Sequence, residues 1–308
     1  MSFSTITAVL QLFSMIGLGW MLANRLPSTI IPFTDEFWRV LGKFVYNVCV
    51  PVLMFSVLSQ FEWHQEHLRF IAATLIGTIL FCGLMFVVVP RLNTNTQSAT
   101  IAAIACQPNS VFLGFPLVAS VFAQQSELAL GLAAIYSALE WPITTTFSVA
   151  ILRRHKRDTR IEFRQFFKDP IILGCLIGFV WSSTGMEIPN AIQTPLTWVG
   201  GLTSTLALLI VGVRMKFGHI RQHLAAIFHT TAIKLLVLPL AGWIVAWMFG
   251  LTSITVAVFV LLIGTPVAVS TVLIVEQHKG DTELAAGAVT VSTLLSIVTL
   301  SVIASLFI

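Results

Sequence analysis

The sequence predicts an all-α integral membrane protein: ten transmembrane helices in two inverted five-helix repeats, with the fourth and ninth helices broken by proline. Three observations carry this prediction: a composition too apolar for water, apolar runs of spanning length, and basic residues confined to one side. Mean hydropathy is +0.92, 56% of residues are hydrophobic and 10% are charged, against roughly 25% charged in soluble domains. Within a bilayer every backbone polar group must find a partner in the protein, which leaves helices or closed barrels. Barrel strands would read as alternating segments of roughly ten residues. This chain instead carries continuous apolar runs, most of them about 18 to 26 residues long, the length of spanning helices.

The spans fall near residues 6–23, 37–60, 68–89, 98–123, 129–152, 170–183, 192–213, 224–249, 254–276 and 283–307. The first lacks the positive flank and Ala-x-Ala site of a signal peptide and reads as a retained span. The sixth is short and is expected to extend into its flanks. Under this assignment 15 of the 17 Lys and Arg residues lie on one side. Arg69 alone lies opposite, and Lys234 falls inside the eighth span. The positive-inside rule makes the basic side cytoplasmic, with both termini outside, in a cell (inner) membrane. The net charge of +4 therefore follows topology, and no nucleic acid partner is expected.

The loop 153–169 separates a first repeat, 1–152, from a second, 170–308. An odd number of spans in each half places the second half upside down, the geometry of inverted-repeat transporters. The loop is basic, with Ile161, Phe163, Phe166 and Phe167 among its charges, and reads as a topology determinant lying on anionic headgroups. Sequence symmetry is weak but present. The fourth span carries Gln107-Pro108-Asn109-Ser110-Val111, and the ninth carries Thr265-Pro266-Val267-Ala268-Val269.

A proline inside a helix removes a backbone donor and crowds the preceding turn. One such proline is commonly only a kink. Two, in matching spans of two repeats, point to a carrier's central site. Asn109, Ser110, Gly114 and Pro116 surround the first break, and Gly264 and Thr265 the second. Small residues allow close approach, and open helix termini and polar side chains offer donors to an anion. The candidate substrate-binding residues are therefore Pro108, Asn109, Ser110, Thr265 and Pro266.

The run Pro108-Asn109-Ser110-Val111-Phe112-Leu113-Gly114-Phe115-Pro116 resembles the fourth-helix motif of the auxin efflux carrier family, which includes plant auxin exporters and bacterial carriers of malate, malonate and similar acids. Tyr46-Asn47-Val48-Cys49-Val50-Pro51 is similar to its broken second helix, Lys234-Leu235-Leu236-Val237-Leu238-Pro239 to its eighth, and Thr265-Pro266 with Ala285 through Thr299 to its last two. The resemblance covers the whole chain. It implies unwound fourth and ninth helices crossing near the midplane at Pro108 and Pro266, with Asn109 helping to bind a substrate carboxylate. It also implies a scaffold of the first, second, sixth and seventh helices, often a homodimer, against which the remaining helices move. Val267 stands where plant exporters are more polar, which argues against plant-like auxin binding.

A charge at the bilayer centre costs roughly 2.5–3.5 kcal/mol on insertion scales. Glu140 is the acidic residue deep in a span, and Lys234 lies midway along the eighth. They read either as a proton-coupling site and an electrostatic anchor, with H+ the coupling ion, or as a neutralised or snorkelling pair. Cys49, Cys82, Cys106 and Cys175 lie inside apolar runs and read as packing residues. No cofactor or metal is expected. His64 and His67, three apart, suit a solvated loop better than a metal site. His229 suits packing better than a proton relay. Trp38, Trp63 and Trp181 sit where interfacial anchors are expected, and Glu276, Lys279 and Asp281 end the ninth span as a solvated loop or a gate.

The expected function is secondary transport of small organic anions, with the carboxylate at the crossing and the bilayer as surroundings. A membrane enzyme is disfavoured by the lack of any catalytic constellation. A sodium symporter of the bile-acid type and a non-transporting sensor are the alternatives.

Overall fold

The computed structural model describes residues 3–24, 34–92, 96–154, 169–218 and 220–307. The reading of the basic loop falls almost wholly on 155–168, outside the described residues. In chain order the helices are α1 (Phe3–Asn24), α2 (Asp35–Leu58), α3 (Gln65–Leu92), α4 (Thr96–Ala105), α5 (Ser110–Val121) and α6 (Ser126–Arg154). They continue as α7 (Pro170–Ser183), α8 (Asn190–Val213), α9 (Ile220–Met248), α10 (Ser253–Ile263), α11 (Thr271–Gln277) and α12 (Thr282–Ser305). Among the described residues no strand forms, and the one β-type contact is an isolated antiparallel bridge between Pro108 and Val267.

Stretches of α1, α2, α3, α8, α9 and α12 are long and apolar enough to cross a membrane. Segments α5, α7 and α10 are shorter apolar helices. The polar middle of α6, Glu140 through Thr146, marks a helix that turns inward: Glu140, Thr144 and Ser148 are buried. The apolar side chains left outside, Leu80 on α3, Trp198 on α8 and Trp247 on α9 among them, are exposed, as a lipid-facing surface requires.

Three helices widen by one π turn, at Val45–Cys49 in α2, Ser110–Gly114 in α5 and Ile233–Val237 in α9. Each wide turn ends two residues before a proline: Pro51, Pro116 and Pro239. A proline ring collides with the carbonyl four residues back, and a wider turn moves that carbonyl aside while the chain stays helical.

The expected extension of the sixth span does not occur. Asp169 accepts from the Ile171 amide at 2.9 Å and caps α7 immediately before Pro170. At the other end Gly185 takes φ 66° and turns the chain, a conformation that glycine adopts without strain. The helix keeps its 14 residues.

Close backbone contact organises the packing. A Cβ on Gly212 of α8 would stand 1.9 Å from the Ile16 carbonyl oxygen of α1, and one on Gly19 would stand 2.1 Å from that of Leu209. Gly174 of α7 meets the Pro51 carbonyl of α2 in the same way, at 2.4 Å. Small residues permit such approach where lipid offers no hydrophobic drive between helices. Thus α1, α2, α7 and α8 pack on one another, while α3, α4, α6, α9, α10 and α12 form a second group. The groups meet where α5 lies on α1 and α8, α2 on α6, and α12 on α1.

Other expectations are adjusted locally. His67 is buried rather than solvated. Its Nδ1 accepts from the His64 amide at 3.1 Å and its ring lies 4.8 Å from that of Phe61. His229 is exposed on α9 rather than packed. Trp38 is buried, whereas Trp181 donates to the Met186 carbonyl at 2.8 Å near the end of α7. All four cysteines are buried and free.

Candidate functional site

The two proline breaks come together. Helix α4 ends at Ala105 and α5 starts at Ser110; α10 ends at Ile263 and α11 starts at Thr271. The extended segments between them run antiparallel. The Asn109 amide donates to the Pro266 carbonyl at 2.9 Å, and the Ala268 amide donates to the Gln107 carbonyl at 3.0 Å. Breaking two helices leaves orphan backbone groups, and this exchange satisfies some of them inside the protein, as lipid surroundings demand. A third orphan, the Val267 amide, donates to Ser292 Oγ of α12 at 3.1 Å. Gly114 admits the neighbouring segment: a Cβ there would lie 2.7 Å from Leu262 Cδ2 and 3.2 Å from Thr265 Cγ2.

Pro108, Asn109, Ser110, Thr265 and Pro266 are all buried at this crossing. Gln107 Nε2 donates to Ser148 Oγ at 3.1 Å, and Ser148 donates on to the Ala103 carbonyl at 2.9 Å. Thr265 Oγ1 is spent on the Leu262 carbonyl at 2.7 Å. Asn109 differs. Its side-chain amide nitrogen is buried without a partner, at the start of α5. A buried donor left unmade costs roughly 1–3 kcal/mol.

Glu140 joins the crossing. Its Oε2 accepts from Ser110 Oγ at 2.9 Å and its Oε1 from Thr144 Oγ1 at 2.8 Å. Lys234, in the wide turn of α9, is equally buried. The two charges act on one another at a distance, with no direct ion pair between them among the described residues.

A cavity of about 1020 Å³ opens on the face that carries the basic residues and reaches Phe112, Val269 and Ser270 beside the crossing. Arg39, Lys43, Arg153, Arg214 and Lys216 line it, against Asp169, Glu276 and Glu283. None of the five predicted binding residues lines the cavity itself; they lie just behind its end. On its wall Asp169 Oδ2 accepts from Tyr46 Oη of α2 at 2.6 Å and from Trp141 Nε1 of α6 at 3.3 Å. Asp169 thereby links α2, α6 and α7. Of the residues read as a solvated loop or a gate, Glu276 lines the cavity, while Asp281 caps α12 and lies 3.7 Å from His223.

Sequence reasoning missed Ser292, Ser148 and the Tyr46–Asp169–Trp141 junction. Asp169 carried a signal, since an Asp directly before Pro marks a helix N-terminus. Ser292 and Ser148 carried none, being two among many small residues in apolar spans.

Polar groups buried deep in an apolar helical body, around two opposed helix breaks at the end of a charged vestibule, define a membrane transport protein. Residues 4–304 match the family described as membrane transport protein. The chain belongs to this family, the auxin efflux carrier family that the Pro108–Pro116 motif resembles. An "Uncharacterized transporter" of Methanothermobacter thermautotrophicus is 24% identical over 307 residues, covering 95% of each chain. The "Uncharacterized transporter YfdV" of Escherichia coli K12 is 22% identical, over 87% of this chain and 88% of its own. A Rhizobium meliloti protein named "Putative malonate transporter" is 22% identical over 95% of this chain and 92% of its own.

Proposed function

We propose that this transporter is a secondary carrier of small mono- or dicarboxylates that works by alternating access. The substrate carboxylate sits at the crossing. Asn109 donates its free amide hydrogens, Ser110 contributes its hydroxyl and the N-terminus of α5, and Pro108, Thr265 and Pro266 hold the two breaks in register. The observation that carries this reading is the unpartnered buried amide of Asn109, placed behind a vestibule with more cations than carboxylates along its wall.

The chain reads as ten spans, in repeats 1–152 and 170–308, with the basic side cytoplasmic. The vestibule then opens to the cytoplasm. The group α1, α2, α7 and α8 acts as scaffold and can pair with a second copy; the remaining helices rock against it and turn the crossing toward the other side. A relative named for malonate supports a small organic acid.

The test is thermal stabilisation of the purified protein by malonate, malate, succinate and lactate, beside Asn109→Ala. A ligand that binds the folded state raises its stability with occupancy. At least one acid should shift the wild type and leave a well-folded Asn109→Ala unmoved. No shift by any acid in a folded wild type overturns the reading.

A further inference from the structure

Glu140 has a relation to the crossing that reaches beyond anion binding. Ser110 has a single hydroxyl hydrogen, and it is spent on Glu140 Oε2 at 2.9 Å. Ser110 directly follows Asn109, whose amide nitrogen awaits an acceptor. A carboxylate bound at Asn109 would therefore compete with Glu140 for the Ser110 hydrogen. The surrounding charges set the same competition. Lys234 on α9 is the charged group that acts on Glu140, and Glu140 in turn faces Tyr136 on α6 and Cys82 on α3. Cys106, after α4, faces Cys82 and Lys234. From α5 and α10, which also pack on α6, Glu140 meets Ser110, and Tyr136 meets Phe259. Lys234 is the one cation among these groups. An ionised carboxylate at this depth needs a cation or a proton to answer its charge.

We propose that Glu140 is a proton-binding site coupled to the anion, so that the proton and the carboxylate are taken up together. This rests on the carboxylate reading of the crossing. Without anion, Lys234 balances the Glu140 carboxylate, and Ser110 and Thr144 donate to it. When an anion arrives, Lys234 balances the anion instead, and a proton from the open vestibule binds Glu140. The protonated carboxyl then donates to Ser110 Oγ, and the Ser110 hydrogen turns to the substrate beside Asn109. One proton and one carboxylate enter per cycle, and both leave when the crossing faces the other side.

The experiment measures malonate affinity against pH, over a range in which free malonate is fully ionised, and the proton uptake that accompanies binding in weak buffer. If another acid of the panel binds better, it replaces malonate. Linkage requires the wild-type Kd to weaken about tenfold per pH unit on the alkaline side, with about one proton taken up per anion. Glu140→Gln, which mimics the neutral carboxyl, should bind with a Kd independent of pH and take up no proton. Ser110→Ala, which removes the shared hydroxyl and leaves only the shared charge of Lys234, should bind more weakly and with a shallower slope. Proton uptake that persists in Glu140→Gln, or a wild type that binds the acid with no proton, overturns the coupling while leaving the carboxylate site intact. Should Glu140→Gln fail to fold, the wild-type stoichiometry and Ser110→Ala decide. A wild type that binds none of the acids fails the earlier reading instead.

Discussion

Replacing Ser292 by alanine isolates the contribution of one orphan backbone group at the crossing. In the native protein Ser292 Oγ accepts from the Val267 amide at 3.1 Å and donates to the Val289 carbonyl at 3.3 Å. Both Ser292 and Val267 are fully buried, so no water can take over. The alanine variant leaves the Val267 N–H unpaired, at about 1–3 kcal/mol. Ser296, one turn further along α12, supplies the control: it is equally buried, and its hydroxyl only donates back to the Thr293 carbonyl at 2.7 Å. Ser296→Ala makes the same chemical change and orphans no donor. Thermal unfolding in detergent should show Ser292→Ala melting roughly 2–6 °C below Ser296→Ala, with the malonate-induced shift reduced in the first variant only. Equal melting temperatures would refute the claim that α12 satisfies the break between α10 and α11.

Gly212→Ala should separate α1 from α8 and cost about 1–3 kcal/mol as overpacking, because its Cβ would lie 1.9 Å from the Ile16 carbonyl oxygen. Gly201→Ala on the same helix meets nothing within 4 Å and should be neutral or slightly stabilising in the same melt. Asp169→Ala removes the α7 cap, worth about 1 kcal/mol, and leaves Tyr46 and Trp141 without their shared acceptor; transport into proteoliposomes should slow by more than the loss of stability explains. Lys43, Arg214 and Lys216 line the vestibule, and neutralising all three should, at low ionic strength, raise KM for whichever acid of the panel binds, with little change at high salt, where screening already weakens them.

The solvent, the helical class and the places where helices break were legible in the residues alone. Their hydropathy excludes water as the surroundings, lipid excludes every open-edged structure, and Pro108 and Pro266 cannot continue the helices they interrupt. The cap at Asp169 was equally local, written in the Asp-Pro pair. Tertiary structure decided which residues meet across 25 (Val267 and Ser292) to 196 (Ile16 and Gly212) positions of the chain. Nothing in the local pattern says that Ser110 donates to Glu140, that Ser292 takes the Val267 amide, or that Gly212 lies against Ile16. Nor does it say that His67 turns inward while His229 stays outside. In a span made of small and apolar residues, a serine that fills space and one that accepts a buried amide have the same neighbours in sequence. They differ only in which helix packs over them, and that is settled by the close approach of backbones and the pairing of groups that proline leaves open.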